Sequence, residues 1–167
     1  MAHPMSAFGA VHTILSLVPL VAGLAAFKRY GKIDPATSIG KMYWIGMAAS
    51  VVTAFGLSST GGFNPGHALG LLTLVVMAVA TLVTRVAFLG RTAVYLQVVL
   101  MSFSFLLLMV PGTNETLSRL PAGHPIGNGP DSAPVQMALA GVFVLFVIGT
   151  VYQLVQLRRQ TVRQARA

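Results

Sequence analysis

Imidazole carries the widest chemistry available to this sequence. The chain has four histidines, three acidic residues and no cysteine. Disulfides, thiolate metal sites and thiol catalysis are therefore excluded. His3, His12, His67 and His124 remain as candidate ligands or proton carriers, with Glu115 and Asp131 as carboxylates. His12 lies inside the first apolar run. His67 follows Gly61-Gly62-Phe63-Asn64-Pro65-Gly66 and opens the third. Asn64 then Pro65 is a helix-start signal, a cap followed by a first-turn proline. It places His67 in the opening turn of a helix. An imidazole at the mouth of an apolar helix is costly unless it meets water, a hydrogen-bond partner or a metal.

His12 and His67 belong to different helices at comparable depth. Two such rings can clamp a b-type haem from opposite sides, each as a neutral axial ligand. Gly9, Gly66 and Gly70 nearby leave room for a flat ring. The same pair can instead hold a zinc or copper ion, with Glu115 or His124 as further ligands. The plainer alternative is that each histidine makes a hydrogen bond within the bundle or to interfacial water. No compact His-x-x-x-His pair within one helix favours the ligand readings.

The elements that must position these residues are membrane helices. The chain is 55% hydrophobic and 8% charged, with mean hydropathy +0.78. A soluble domain carries about 25% charged residues, so an all-α integral membrane bundle is expected. Five transmembrane helices are read at about 7–27, 42–59, 66–88, 92–110 and 134–157 in a single membrane domain covering 1–167. An outer loop fills 111–133 and a basic tail follows at 158–167. The first run ends in Lys28-Arg29-Tyr30 rather than a small-residue cleavage site, so it is expected to stay as a helix.

Periodicity assigns faces. His12, Ser16, Pro19 and Gly23 share one face of helix one, and it should point into the bundle. Gly46, Ser50 and Thr53 form a small, weakly polar stripe on helix two, suited to close helix contact. His67, Gly70, Leu71, Leu74, Ala78, Thr81 and Arg85 share a face of helix three, and Gln97, Met101 and Ser104 a face of helix four. Glu115 and Arg119 stand at i, i+4 and suit an ion pair that orders the outer loop.

Charge then orients the bundle. The net charge is +8 and the pI is near 11.0, but the basic residues cluster at the ends of apolar runs rather than in a nucleic-acid patch. Five crossings put Lys28, Arg29, Lys32, Lys41, Arg85, Arg91, Arg158, Arg159, Arg163 and Arg166 on one side and Arg119 on the other. The positive-inside rule gives the N-terminus out and the C-terminus in. All four histidines fall on the outer side, with Glu115 and Asp131.

His12, Ile39-Gly40-Lys41-Met42-Tyr43, Gly62-Phe63-Asn64-Pro65-Gly66-His67 and the Glu115/Arg119 pair are similar to a family of uncharacterised bacterial multi-pass membrane proteins with a domain of unknown function. The resemblance covers about Phe8 to Pro121. It implies a membrane architecture with polar outer residues and no known reaction. The family pattern has further inner histidines where this chain reads Ala36-Thr37-Ser38 and Arg91-Thr92-Ala93.

Three functions are compatible with this reading. The first is a redox protein of a bacterial inner (cytoplasmic) membrane, holding haem b through His12 and His67 and exchanging electrons with a quinone or a membrane protein partner. The second is a non-catalytic accessory subunit of a larger membrane complex. The third is an outer-face zinc or copper site. Homo- or hetero-oligomers suit all three. No Ser, His and acid fall together as a nucleophilic site, and no strand precedes a phosphate-binding glycine loop.

Overall fold

The computed structural model describes residues 7–57 and 62–164. The expected end of helix two at Ser59, together with Gly61, His3 and Arg166, lies outside the described residues. Five α-helices follow one another: α1 (Ala7–Tyr30), α2 (Ser38–Ala54), α3 (Pro65–Leu82), α4 (Thr92–Arg119) and α5 (Ala133–Gln164). No strand occurs among the described residues. α1, α4, α5 and α3 with its following turn are long and apolar enough to cross a membrane. α2 has 17 residues, about 26 Å at 1.5 Å per residue.

Successive helices are antiparallel neighbours, and α4 also reaches back to α1. The core where the first four meet holds Ala22, Ala26, Tyr43, Met47, Met77, Ala80 and Met101, all essentially inaccessible. Aromatic contacts close its lower half. Phe27 meets Phe105 edge-on with centroids 5.2 Å apart, and the Tyr43 hydroxyl bonds Ser104 Oγ at 2.8 Å. Gln97 Nε2 donates to the Ala80 carbonyl at 3.1 Å, and Ser102 Oγ to Gln153 Oε1 at 3.0 Å. These bonds fix the stagger of α2, α3, α4 and α5, and each removes a polar group from an apolar surrounding.

α1 and α2 interlock along the two faces read from periodicity. His12 meets Thr53, Ser16 meets Ser50, Pro19 rests on Gly46, and Gly23 lies by Tyr43. A Cβ at Gly46 would stand 3.0 Å from Pro19 Cδ and 3.1 Å from its nitrogen. The hydrogen of glycine is what lets the two backbones come this close.

Helix ends depart from expectation, each for a local reason. α2 begins at Ser38 rather than near 42, because Thr37 caps it: Thr37 Oγ1 accepts the Gly40 N–H at 3.0 Å. α3 stops at Leu82 rather than near 88. The β-branched Val83, Thr84 and Val86 disfavour the helix, and two single 3-10 turns, Val83–Arg85 and Ala87–Leu89, lead to Gly90 at φ +48°. α4 runs through Pro111 to Arg119. One proline removes one hydrogen bond, whereas the extension gains the Glu115–Arg119 ion pair at 2.6 Å and backbone bonds from the loop, Gly127 N to Leu117 O at 2.9 Å among them. α5 continues to Gln164, so Arg158, Arg159 and Arg163 stand on a helix rather than a tail. That stretch has no glycine or proline to end it.

The loop between α1 and α2 is organised by Asp34, which bonds Lys32 at 3.1 Å and accepts the Ala36 N–H at 2.9 Å. Partial burial works against the carboxylate, but the Ala36 N–H and the Lys32 ammonium outweigh it and hold the carboxyl below its usual value. A depressed folded-state pKa stabilises the fold above the unfolded-state value, about 3.9, and that support is lost as pH falls through the folded-state value. The melting-temperature gap between wild type and Asp34→Ala should therefore stay constant above about pH 5 and close in the acid range. A gap unchanged at about pH 2 would show that the charge plays no part. Gly46→Leu should destabilise the bundle by about 1–3 kcal/mol through overpacking against Pro19, read by thermal unfolding in detergent.

Candidate functional site

His12 and His67 come to the same end of the bundle, on neighbouring residues of α2. His67 is the third residue of α3. The Asn64 side chain accepts its backbone N–H at 3.1 Å, and its ring returns a bond to the Asn64 backbone. Asn64 thus caps α3 reciprocally with His67, as a Ser and a Glu do in the usual capping box. Pro65 supplies the first-turn φ.

The tautomer follows from the partners. His67 Nδ1 accepts the Asn64 N–H at 3.4 Å, so the proton sits on Nε2, which donates to the Ala54 carbonyl at 3.1 Å. Ala54 is the last residue of α2, and its carbonyl also accepts the Leu57 N–H at 2.9 Å, so the ring adds a second bond at the helix end. Both ring nitrogens of His67 are therefore engaged, one at the start of α3 and one at the end of α2. The ring is also enclosed. Phe55 stacks on it at 4.8 Å and Phe63 meets it edge-on at 5.7 Å, and His67 is 5% exposed.

His12 is half-buried. Its Nδ1 lies 2.9 Å from Thr53 Oγ1. The Thr53 hydroxyl directs its own proton to the Ala49 and Ser50 carbonyls, so it accepts from His12 Nδ1–H. The lone pair of the ring then rests on Nε2, 3.4 Å from Ser16 Oγ. Ser16 donates to the His12 carbonyl at 2.8 Å, which assigns the 2.7 Å bond between Ser16 and Ser50 to the Ser50 proton. Every hydroxyl of this small network has a partner. His12 Nε2 is the one imidazole nitrogen of the pair with a lone pair not taken by a short bond.

The other expected site residues are less gathered. Glu115 is exposed, and its carboxylate holds Arg119. His124 is exposed in the loop 120–132, where its backbone N–H bonds the Pro121 carbonyl at 3.1 Å. Among the described residues no three or more His, Asp or Glu side chains gather as a metal group would. As placed, the two rings turn to α2 rather than to a common centre, and His67 has no lone pair to offer a haem iron.

Sequence reasoning found both histidines, and separately the Ser50/Thr53 stripe. It did not join them. The signal was present: the antiparallel pairings of residues 12 with 53 and 16 with 50 keep one register, and a short loop links the helices. The role of Ala54 had no signal, because a carbonyl carries no residue identity. Phe55 and Phe63, which enclose the His67 ring, were also missed.

His67→Ala should cost about 1–3 kcal/mol, since it removes both ring hydrogen bonds, to the Ala54 carbonyl and from the Asn64 N–H. His12→Ala should cost less, about 0.6–1.7 kcal/mol, the range for a hydrogen bond between membrane helices. A double-mutant cycle of His12→Ala with Thr53→Val, followed by unfolding in micelles, checks the pairing: zero coupling would refute it. In comparisons with known proteins, no family model, no curated protein and no solved structure matches the chain.

Proposed function

We propose that this chain is a five-span protein of a bacterial-type inner membrane that serves as a non-catalytic accessory subunit of a larger membrane assembly. The observation that carries this reading is the engagement of both imidazoles with α2, which gives them a complete structural task. α5 adds to it. This helix is strongly apolar yet leaves Met137, Leu145 and Ile148 more than 60% exposed, a length of surface open to lipid and to a neighbouring subunit.

The five-span topology rests on charge and on pairing. Lys28, Arg29, Lys32, Lys41, Arg85, Arg91, Arg158, Arg159 and Arg163 share one end of the antiparallel bundle, and Arg119 stands at the other. The positive-inside rule then puts the N-terminus outside and the C-terminus inside. α2 is short, but its bonds to α1 carry it through the bilayer beside a longer helix.

A second reading keeps the haem b or the zinc or copper ion at the outer end. It is favoured by the common level of His12 and His67 on Thr53 and Ala54, and by the Nε2 lone pair of His12. It requires His67 to release Ala54.

The protein purified from cells supplied with haem and with zinc and copper separates the two. We expect no Soret band, no stoichiometric metal and a fixed larger membrane partner in mild detergent. A Soret band, or bound metal, that disappears in both His12→Ala and His67→Ala would overturn the accessory reading.

A further inference from the structure

A cavity lies away from the histidines, at the other half of the bundle. It is a groove of about 510 Å³ between α1, α4 and α5, with walls formed by Leu24, Phe27, Phe105, Met109 and Leu145. That volume is within the usual range for a bound small molecule or lipid chain, and the lining is as apolar as such sites tend to be. A polar foot closes its basic end. Ser102 Oγ is bonded to Gln153 there. The Thr150 hydroxyl lines the same groove, buried and without a hydrogen-bond partner among the described residues. A buried hydroxyl with no partner is rare, and a ligand in the groove could supply one.

Beyond the foot the surface is cationic. Gly31 ends the groove on α1, and Lys28 and Arg29 stand within a turn of it, exposed. Arg158 and Arg159, also exposed, follow about one and a half turns past Gln153 on α5. None of these four has an ion-pair partner among the described residues. Asp34, the acid at this end, is held by Lys32.

We propose that this groove is a binding site for an anionic phospholipid. One acyl chain fills the apolar trough, and an ester carbonyl accepts the Thr150 hydroxyl proton. The phosphate meets Lys28, Arg29, Arg158 and Arg159. The sequence of surfaces along the groove, apolar, then hydroxyl, then cationic, is the order of groups along such a lipid. A second copy of this chain in the same orientation would bring to this end the Asp34 side chain, which Lys32 already holds.

The test uses the full chain in detergent and native mass spectrometry, titrated with dioleoyl-phosphatidylglycerol or, separately, dioleoyl-phosphatidylcholine. One phosphatidylglycerol per chain should be held, about tenfold more tightly than phosphatidylcholine. Gly149→Leu fills the trough. A Cβ at Gly149 meets nothing within 4 Å and leucine favours a helix over glycine, so the fold is kept while retained lipid falls about tenfold or more. Lys28→Gln with Arg29→Gln should bring the two lipids to near-equal binding at unchanged melting temperature, and Thr150→Val should weaken both. Equal binding of the two lipids by wild type, or unchanged lipid retention in Gly149→Leu, overturns the proposal. So does a loss of self-association in Gly149→Leu with lipid retention intact, which would assign the groove to a second copy.

Discussion

The contact on which the molecule depends is the interlock of α1 with α2. It places polar groups, a proline and glycines in one register: His12 on Thr53, Ser16 on Ser50, Pro19 on Gly46, Gly23 by Tyr43. In lipid there is little hydrophobic force between helices, so close packing and hydrogen bonds must do the joining. The interlock supplies both. Glycine brings the backbones together, and at that distance short side chains reach across. α3 is then tied to the far end of α2 by His67, and α4 enters beneath through Tyr43 and Gln97.

This arrangement explains why the histidines look functional in the sequence and structural in the fold. An imidazole within an apolar helix must have a partner. A metal is one solution; a hydroxyl or a helix-end carbonyl is another. The chain supplies the second at both positions. His67 is the more committed ring, with two nitrogens engaged and an aromatic on either side. His12 keeps a lone pair at Nε2 in a network otherwise closed.

Faces were legible in the sequence where they repeat at helical spacing. The His12/Ser16/Pro19/Gly23 and Gly46/Ser50/Thr53 stripes both turned inward, as did Gln97, Met101 and Ser104, because a polar or small residue in a lipid-facing position has no compensation. Ends were less legible. Lys41 read as loop because it is charged, yet the Thr37 cap had already started the helix. Pro111 read as a stop, yet bonds from the loop 120–132 sustain the turns beyond it. Those bonds join residues distant in sequence, and no local pattern announces them. The groove was likewise hidden, since its walls come from α1, α4 and α5, elements far apart in the sequence.

The interlock also bears on how the chain enters the bilayer. α1 is synthesised before α2, and it arrives with an imidazole whose partner, Thr53, lies 41 positions downstream. α2, the shortest helix, bears the complementary hydroxyls. Ser16 and Thr53 can meanwhile turn back onto their own helix carbonyls, whereas within α1 the His12 ring has only the longer approach of Ser16 Oγ at 3.4 Å. Pairing α1 with α2 early, as a hairpin, would give that imidazole its short bond before the rest of the bundle assembles.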